Sequence, residues 1–141
     1  MLVVDASVAV KWLLPEAYST EAIALLDSRN RLIAPDLLWI EAGSVLWKQQ
    51  RRGALSAAET TALVEQIMAM PVEIEPSEAL VQPAVELALA TGRSVYDCVY
   101  VALALMRDAV LVTADERLVN ALAGDELGRR VRWIGASEGP P

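Results

Sequence analysis

With 141 residues and 55% hydrophobic composition, the chain fits one compact domain built on one core. Its 12 basic and 19 acidic side chains leave a formal charge of −7, so a nucleic-acid partner would need cations or a local basic patch. There is no histidine and a single cysteine, Cys98, which excludes Ser-His-Asp and Cys-His hydrolysis, histidine zinc sites and an internal disulfide.

Leu2–Asp5 reads as a short apolar strand. A helix from about Ser7 to Leu14 follows and stops at Pro15, and a second runs from about Ser19 to Ser28. Leu32–Ala34 is a strand closed by Pro35. A long helix, about Leu37 to Arg52, ends at the helix-stop residue Gly53. Ser56 and Glu59 have capping-box spacing and open a helix reaching about Met70. Val72–Ile74 is a third strand. The helix from about Glu78 to Ala90 contains Pro83, which calls for a late start or a kink. After Gly92, Ser94 opens a helix from about Val95 to Arg107 that is apolar on nearly all sides and so should be central and buried. Ala109–Val112 is a strand, Glu116 to Ala123 a short helix and Val131–Ile134 a last strand.

Strands alternating with helices predict an α/β fold with a parallel sheet, helices on both faces and right-handed crossovers. The expected organisation is one domain over residues 1–135 and a flexible tail over 136–141. The apolar stretch Met1 to Leu14 is broken by Asp5 and Lys11, unlike a secretory signal. The longest uncharged apolar run, Cys98 to Met106, is far short of the roughly 20 residues that span a bilayer. The expected location is the cytoplasm, with no membrane contact.

Ligands of open parallel sheets bind beyond the carboxyl ends of the strands, where strand order reverses. Asp5 ends the first strand. Asp115 lies just past the fourth, after Thr113, so both acids enter one crevice if those strands are neighbours. Asp97 falls in the first turn of the apolar helix. Asp5, Asp97 and Asp115 each also have an ordinary reading as helix caps, which contribute roughly 1 kcal/mol. Glu41 resists that reading. It shares a helix face with Leu37, Leu38, Ser44 and Val45, has no cation one turn away, and costs desolvation energy unless paired or metal-bound.

Donors made only of oxygen favour Mg²⁺ or Mn²⁺. Mg²⁺ keeps several waters, so Asp5 and Asp97 are expected to ligate it while Glu41 and Asp115 hold waters or a second ion. A bound metal activates water and neutralises phosphate oxygens, enough for phosphodiester hydrolysis without histidine.

Four segments carry a resemblance. Val3-Val4-Asp5-Ala6-Ser7, Pro35-Asp36-Leu37-Leu38-Trp39-Ile40-Glu41, Ser94-Val95-Tyr96-Asp97 and Val112-Thr113-Ala114-Asp115 come in the order and at the intervals of PIN domains, and the chain resembles VapC-like toxins in particular. The resemblance covers nearly the whole sequence. It implies a three-layer fold with a five-stranded parallel sheet ordered 3-2-1-4-5, flanked by helices. It also implies an endoribonuclease dependent on Mg²⁺ or Mn²⁺, using Asp5, Glu41, Asp97 and Asp115, with Ser7 and Thr113 as supporting hydroxyls. A homodimer and a small VapB-like antitoxin lying over the active site are further implications. One position departs: where some relatives carry a further acid, two residues after the fourth, this chain has Arg117 beside Glu116, which puts a full second metal site in doubt.

Lys48, Arg51 and Arg52 cluster at the end of the Glu41 helix, where they could grip an RNA backbone or simply suit a helix C-terminus. Lys11 and Arg93 are expected nearer the crevice. Arg129, Arg130 and Arg132 read as solvated surface. Trp12, Trp39 and Trp47 read as core; any exposed subset would point to a protein interface. Cys98 reads as inert core. Two rivals lack residues they need. A receiver-like signalling module wants an acid pair where Asp5 is followed by Ala6 and Ser7, and a lysine where Trp133-Ile134-Gly135 stands. A haloacid-dehalogenase-like phosphatase needs Asp-x-Asp, and position 7 is Ser. A PIN-like protein that acts only by binding partners remains as the alternative.

Overall fold

The computed structural model describes residues 1–124 and 126–136. Five strands, β1 (Leu2–Val4), β2 (Leu32–Pro35), β3 (Val72–Glu75), β4 (Val110–Thr113) and β5 (Val131–Trp133), form one sheet in the order β3-β2-β1-β4-β5. All four pairings are parallel. The order is the expected one, and it differs from the 2-1-3-4-5 order of receiver modules. Seven α-helices accompany the sheet among the described residues: α1 (Ala6–Ala9), α2 (Ser19–Ala24), α3 (Leu37–Arg51), α4 (Ala57–Met68), α5 (Val81–Thr91), α6 (Val95–Met106) and α7 (Glu116–Leu122).

The central strands are buried almost throughout, as a parallel sheet covered on both faces requires. The edge strand β3 instead carries exposed Glu73, bound in a fork by Arg31 at 2.6 and 2.7 Å. Charge on an edge discourages pairing with another chain. Helix α6 lies over β1, β2 and β4, and α5 packs on α6. Its stretch Cys98–Ala104 is buried, in keeping with its apolar sequence, whereas Tyr96, Leu105 and Met106 near its ends are exposed. Helix α3 packs on α1, α4 and β2.

Several boundaries differ from the sequence reading for local reasons. The helix expected over Ser7–Leu14 begins at Ala6 because Asp5 caps it, and it tightens into a 3₁₀ turn at Val10–Trp12. Helix α2 ends at Ala24, short of Ser28. The Glu78–Ala90 helix divides into a 3₁₀ turn, Ser77–Leu80, and α5. Pro83 then occupies the first turn of α5, where a missing N–H costs nothing. The Ser56–Glu59 capping box forms on both sides. Gly92 closes α5 at φ +71°, a left-handed conformation that suits glycine. A 3₁₀ turn at Glu126–Arg130, unanticipated, leads into β5. The tail expected from residue 136 lies, past Ala136, outside the described residues. Among the described residues no helix is long and apolar enough to cross a membrane.

Candidate active site

The register of β1 on β4 pairs Val4 with Val112, so the next residues, Asp5 and Thr113, meet at the carboxyl ends of two adjacent strands. This is where the sheet's order turns back, with β2 on one side of β1 and β4 on the other. Asp5 is 9% exposed and Thr113 fully buried. The Thr113 hydroxyl donates to Asp5 Oδ2 at 2.5 Å, and the Ser7 hydroxyl donates to Asp5 Oδ1 at 2.5 Å. The Val8 N–H adds a third bond to Oδ1 at 3.1 Å.

Each hydroxyl is itself an acceptor. Ala114 N–H donates to Ser7 Oγ at 2.9 Å, and Asp115 N–H to Thr113 Oγ1 at 3.0 Å. Two backbone donors thus turn both hydroxyl protons toward Asp5. The arrangement offers this carboxyl group donors only, which matches its ionised form.

Glu41 comes from the second turn of α3, on its apolar stripe, and its partner is Tyr100 of α6, whose hydroxyl donates to Oε1 at 2.6 Å. Asp97 sits in the first turn of α6, which Ser94 caps by accepting the Asp97 N–H at 3.1 Å. Asp115 caps α7, its Oδ1 accepting the N–H groups of Arg117 and Leu118 at 2.9 and 3.3 Å. Asp5 likewise caps α1. Capping and a place in the site therefore coincide on the same residues.

Asp5, Ser7, Glu41, Asp97 and Asp115 line one cleft of about 270 Å³, together with Ser44, Val45, Lys48, Tyr100 and others. A larger cleft, about 870 Å³, borders α2 and β5, but Glu21 and Asp27 are its acids and Arg29 pairs with Asp27 there. All four acids singled out from the sequence gather in the smaller one.

Its electrostatics are those of crowded, partly desolvated acids. Burial raises the carboxyl pKa of Asp5, Glu41 and Asp97 above the usual range. Neighbouring acids add to it: Asp97 acts on Asp5, Asp5 and Asp97 act on Glu41, and Asp115 acts on Asp97. Hydrogen bonds from Ser7, Thr113 and Val8 oppose the rise at Asp5, and Tyr100 opposes it at Glu41. Burial, and then the Glu41 carboxylate, push the Tyr100 hydroxyl far above its ordinary value, so it remains a donor.

The cations divide. Lys48 lines the cleft. Arg93 lies close enough to Asp97 to counter its raised pKa. Arg51 stands over the Trp47 ring, 5.8 Å from its centroid. Lys11, expected near the crevice, is buried, pairs with Glu16 at 3.0 Å and is not among the residues lining the cleft. Arg130, expected to be solvated, pairs with Asp108 at 2.5 Å.

The reading from sequence omitted Tyr100. Its one signal was the three-residue step from Asp97, which puts both on one face of α6; a buried tyrosine hydroxyl needs a partner.

Among the described residues no group of three or more acids, histidines or cysteines is closed up as a ready-made metal cage. The donor set nonetheless fits a hard divalent ion. It is all oxygen, its acids raise one another's pKa, and Mg²⁺ binds through one or two carboxylates with water completing its shell.

Comparison with known proteins identifies the family and the fold. The family model described as PIN domain matches residues 2–123. Over 119 residues the chain is 34% identical to Ribonuclease VapC3 of Pyrobaculum aerophilum, covering 83% of this chain and 91% of that one. A solved structure from Pyrobaculum aerophilum superposes with a TM-score of 0.70 at 23% identity, over 94% of this chain and 83% of the other. A toxin–antitoxin complex from Klebsiella pneumoniae gives 0.64 at 12% identity, over 95% and 98%. The two solved structures share the fold.

Proposed function

The chain belongs to the PIN-domain family, and from that membership we propose that it is a divalent-metal-dependent endoribonuclease, the cytoplasmic toxin of a VapBC-type toxin–antitoxin pair. The observation that carries the reading is four carboxylates from β1, α3, α6 and the end of β4 lining one cleft at the sheet's switch point. The relative named a ribonuclease, matched over most of both chains, supplies the reaction class.

In this reading Asp5 and Asp97 hold Mg²⁺ or Mn²⁺, with Glu41 and Asp115 contributing through water. The ion would lower the pKa of a water and neutralise the phosphate's charge. The chain's own groups do the rest. Ser7, Thr113 and the Val8 N–H fix Asp5 with both oxygens engaged. Tyr100 holds Glu41 by Oε1, which leaves Oε2 to take the proton of an attacking water. Lys48, on the same face of α3 as Glu41, offers a positive charge to the scissile phosphate.

One domain, residues 1–135, would hold this machinery. An exposed stripe on α5, Val81, Val85 and Leu89 at four-residue steps, supports a homodimer. A VapB-like antitoxin would silence the toxin by covering the cleft. The deciding assay is cleavage of RNA by the purified chain with Mg²⁺, with Mn²⁺ and with chelator. Cutting only with metal supports the reading, and equal cutting in chelator rejects it.

A further inference from the structure

Three cations end α3, and none of them is used up. Lys48, Arg51 and Arg52 form no ion pair among the described residues, whereas Lys11, Arg29, Arg31, Arg107 and Arg130 all do. In a chain of net charge −7 this is a local positive patch, and through Lys48 it is continuous with the acidic cleft. Trp47 stands in its middle. It is 55% exposed, against 8% for Trp12, whose indole N–H is satisfied by Ala22 O at 2.9 Å. An exposed indole forgoes the free energy of burial, which a ligand covering it would supply.

The α3 face explains which one. Glu41, Ser44, Val45 and Lys48 point into the cleft at steps of three and four. Trp47 and Arg51 form the adjoining strip, joined by a cation–π contact at 5.8 Å. One turn before Trp47 stands Gly43, with nothing within 4 Å of where a side chain would begin. Helical side chains lean toward the N-terminus, so the ground beside the indole is clear on that side. Ile40, 73% exposed, is the one further large apolar side chain on the strip. A half-exposed indole next to open helix surface, with an arginine over its ring and cations free of ion pairs nearby, suits a single strand: bases stack and phosphates find charge.

We propose that Trp47, backed by Arg51, is a stacking platform for a base of single-stranded RNA, placed beside the cleft so that the strand's backbone passes Lys48. The proposal rests on the ribonuclease reading and adds to it a residue outside the acidic cleft that holds the strand by one of its bases.

The test is binding without cleavage. A short single-stranded oligouridylate is titrated in chelator into the parent chain, Trp47→Ala and Trp47→Phe, following tryptophan fluorescence and an independent anisotropy signal. A duplex of the same length serves as control. The parent should be quenched by the single strand. Trp47→Ala should bind it about 5- to 150-fold more weakly, the range for one lost base stack, and Trp47→Phe should recover most of the loss. Duplex affinity should be the same in all three. Unchanged single-strand affinity in Trp47→Ala overturns the platform, as does an equal loss for duplex. A shift in self-association by sedimentation, with oligonucleotide affinity unchanged, makes the face a protein interface and also overturns it. If the parent binds through Trp47 yet never cuts RNA with metal, the platform stands and the hydrolytic reading fails.

Discussion

The Tyr100 hydroxyl donates to Glu41 Oε1 at 2.6 Å, across 59 positions of sequence, and so ties α6 to α3 at the cleft. The bond satisfies a buried phenol and orients an otherwise mobile carboxylate. Tyr100→Phe keeps the ring and removes both effects. Expected are a stability loss of about 1–2 kcal/mol, the range for a part-buried bond to a charged group, and a fall of roughly tenfold or more in cleavage rate, as for a displaced general base. Tyr100 also lowers the Glu41 pKa, so its loss should move the acid limb of the pH–rate profile to higher pH. A normal profile with reduced stability would make Tyr100 structural only.

The hydroxyl relay beneath Asp5 gives a second expectation. Thr113→Val leaves the Asp115 N–H without its acceptor and Asp5 Oδ2 without its donor, around a Thr113 side chain that is itself fully buried. Each loss costs about 1–3 kcal/mol. Asp5 then sits higher in pKa and binds metal less readily at neutral pH, because Thr113 was one of the groups lowering it. Thermal melts and Mn²⁺ titration measure the two effects separately. Asp5→Asn should abolish cutting while the chain remains folded, since an amide keeps the size and one acceptor of the carboxylate.

Stability against pH follows from the raised acids. Asp5, Glu41 and Asp97 all hold protons more tightly folded than unfolded. Between the ordinary carboxylate range and the raised values the native state therefore binds more protons, and unfolding free energy falls as pH rises. Metal-free protein should thus have a lower denaturant midpoint at pH 7 than near pH 5, and Asp97→Asn should flatten the dependence. Saturating Mg²⁺ should restore stability at pH 7, by about 2.7 kcal/mol at one hundred times its Kd. A metal-free midpoint that rises over this interval would contradict the crowding of these acids.

Much of this was legible beforehand, and the limits are physical. The strands announced themselves as apolar runs between turn residues. The acids stood out because a strand end and an apolar helix stripe are costly places for charge. Helix interiors of the α6 kind were equally plain. Contacts between elements were not. Periodicity says which side of α3 carries Glu41, but not that Tyr100 is what it meets. Nor did proximity in sequence to Asp5 put Lys11 in the cleft: it lies in a 3₁₀ turn and pairs with Glu16. Trp47 read as core and is 55% exposed, because composition does not say which face of α3 the rest of the fold leaves uncovered.

Asp115 carries two duties that one pair of substitutions separates. Its Oδ1 caps α7 through Arg117 and Leu118, and the residue also lines the cleft and raises the pKa of Asp97. Asparagine caps helices about as well as aspartate, whereas alanine costs about 1 kcal/mol. Asp115→Asn should therefore melt like the parent and cut poorly; Asp115→Ala should lose both stability and cutting. The exposed Arg117 now stands where a further acid would extend the site. Arg117→Asp should add a weak second ion in Mn²⁺ calorimetry, against one for the parent. A parent that already binds two ions tightly would show that Arg117 does not limit the site, and that Glu41 and Asp115 suffice to hold the second.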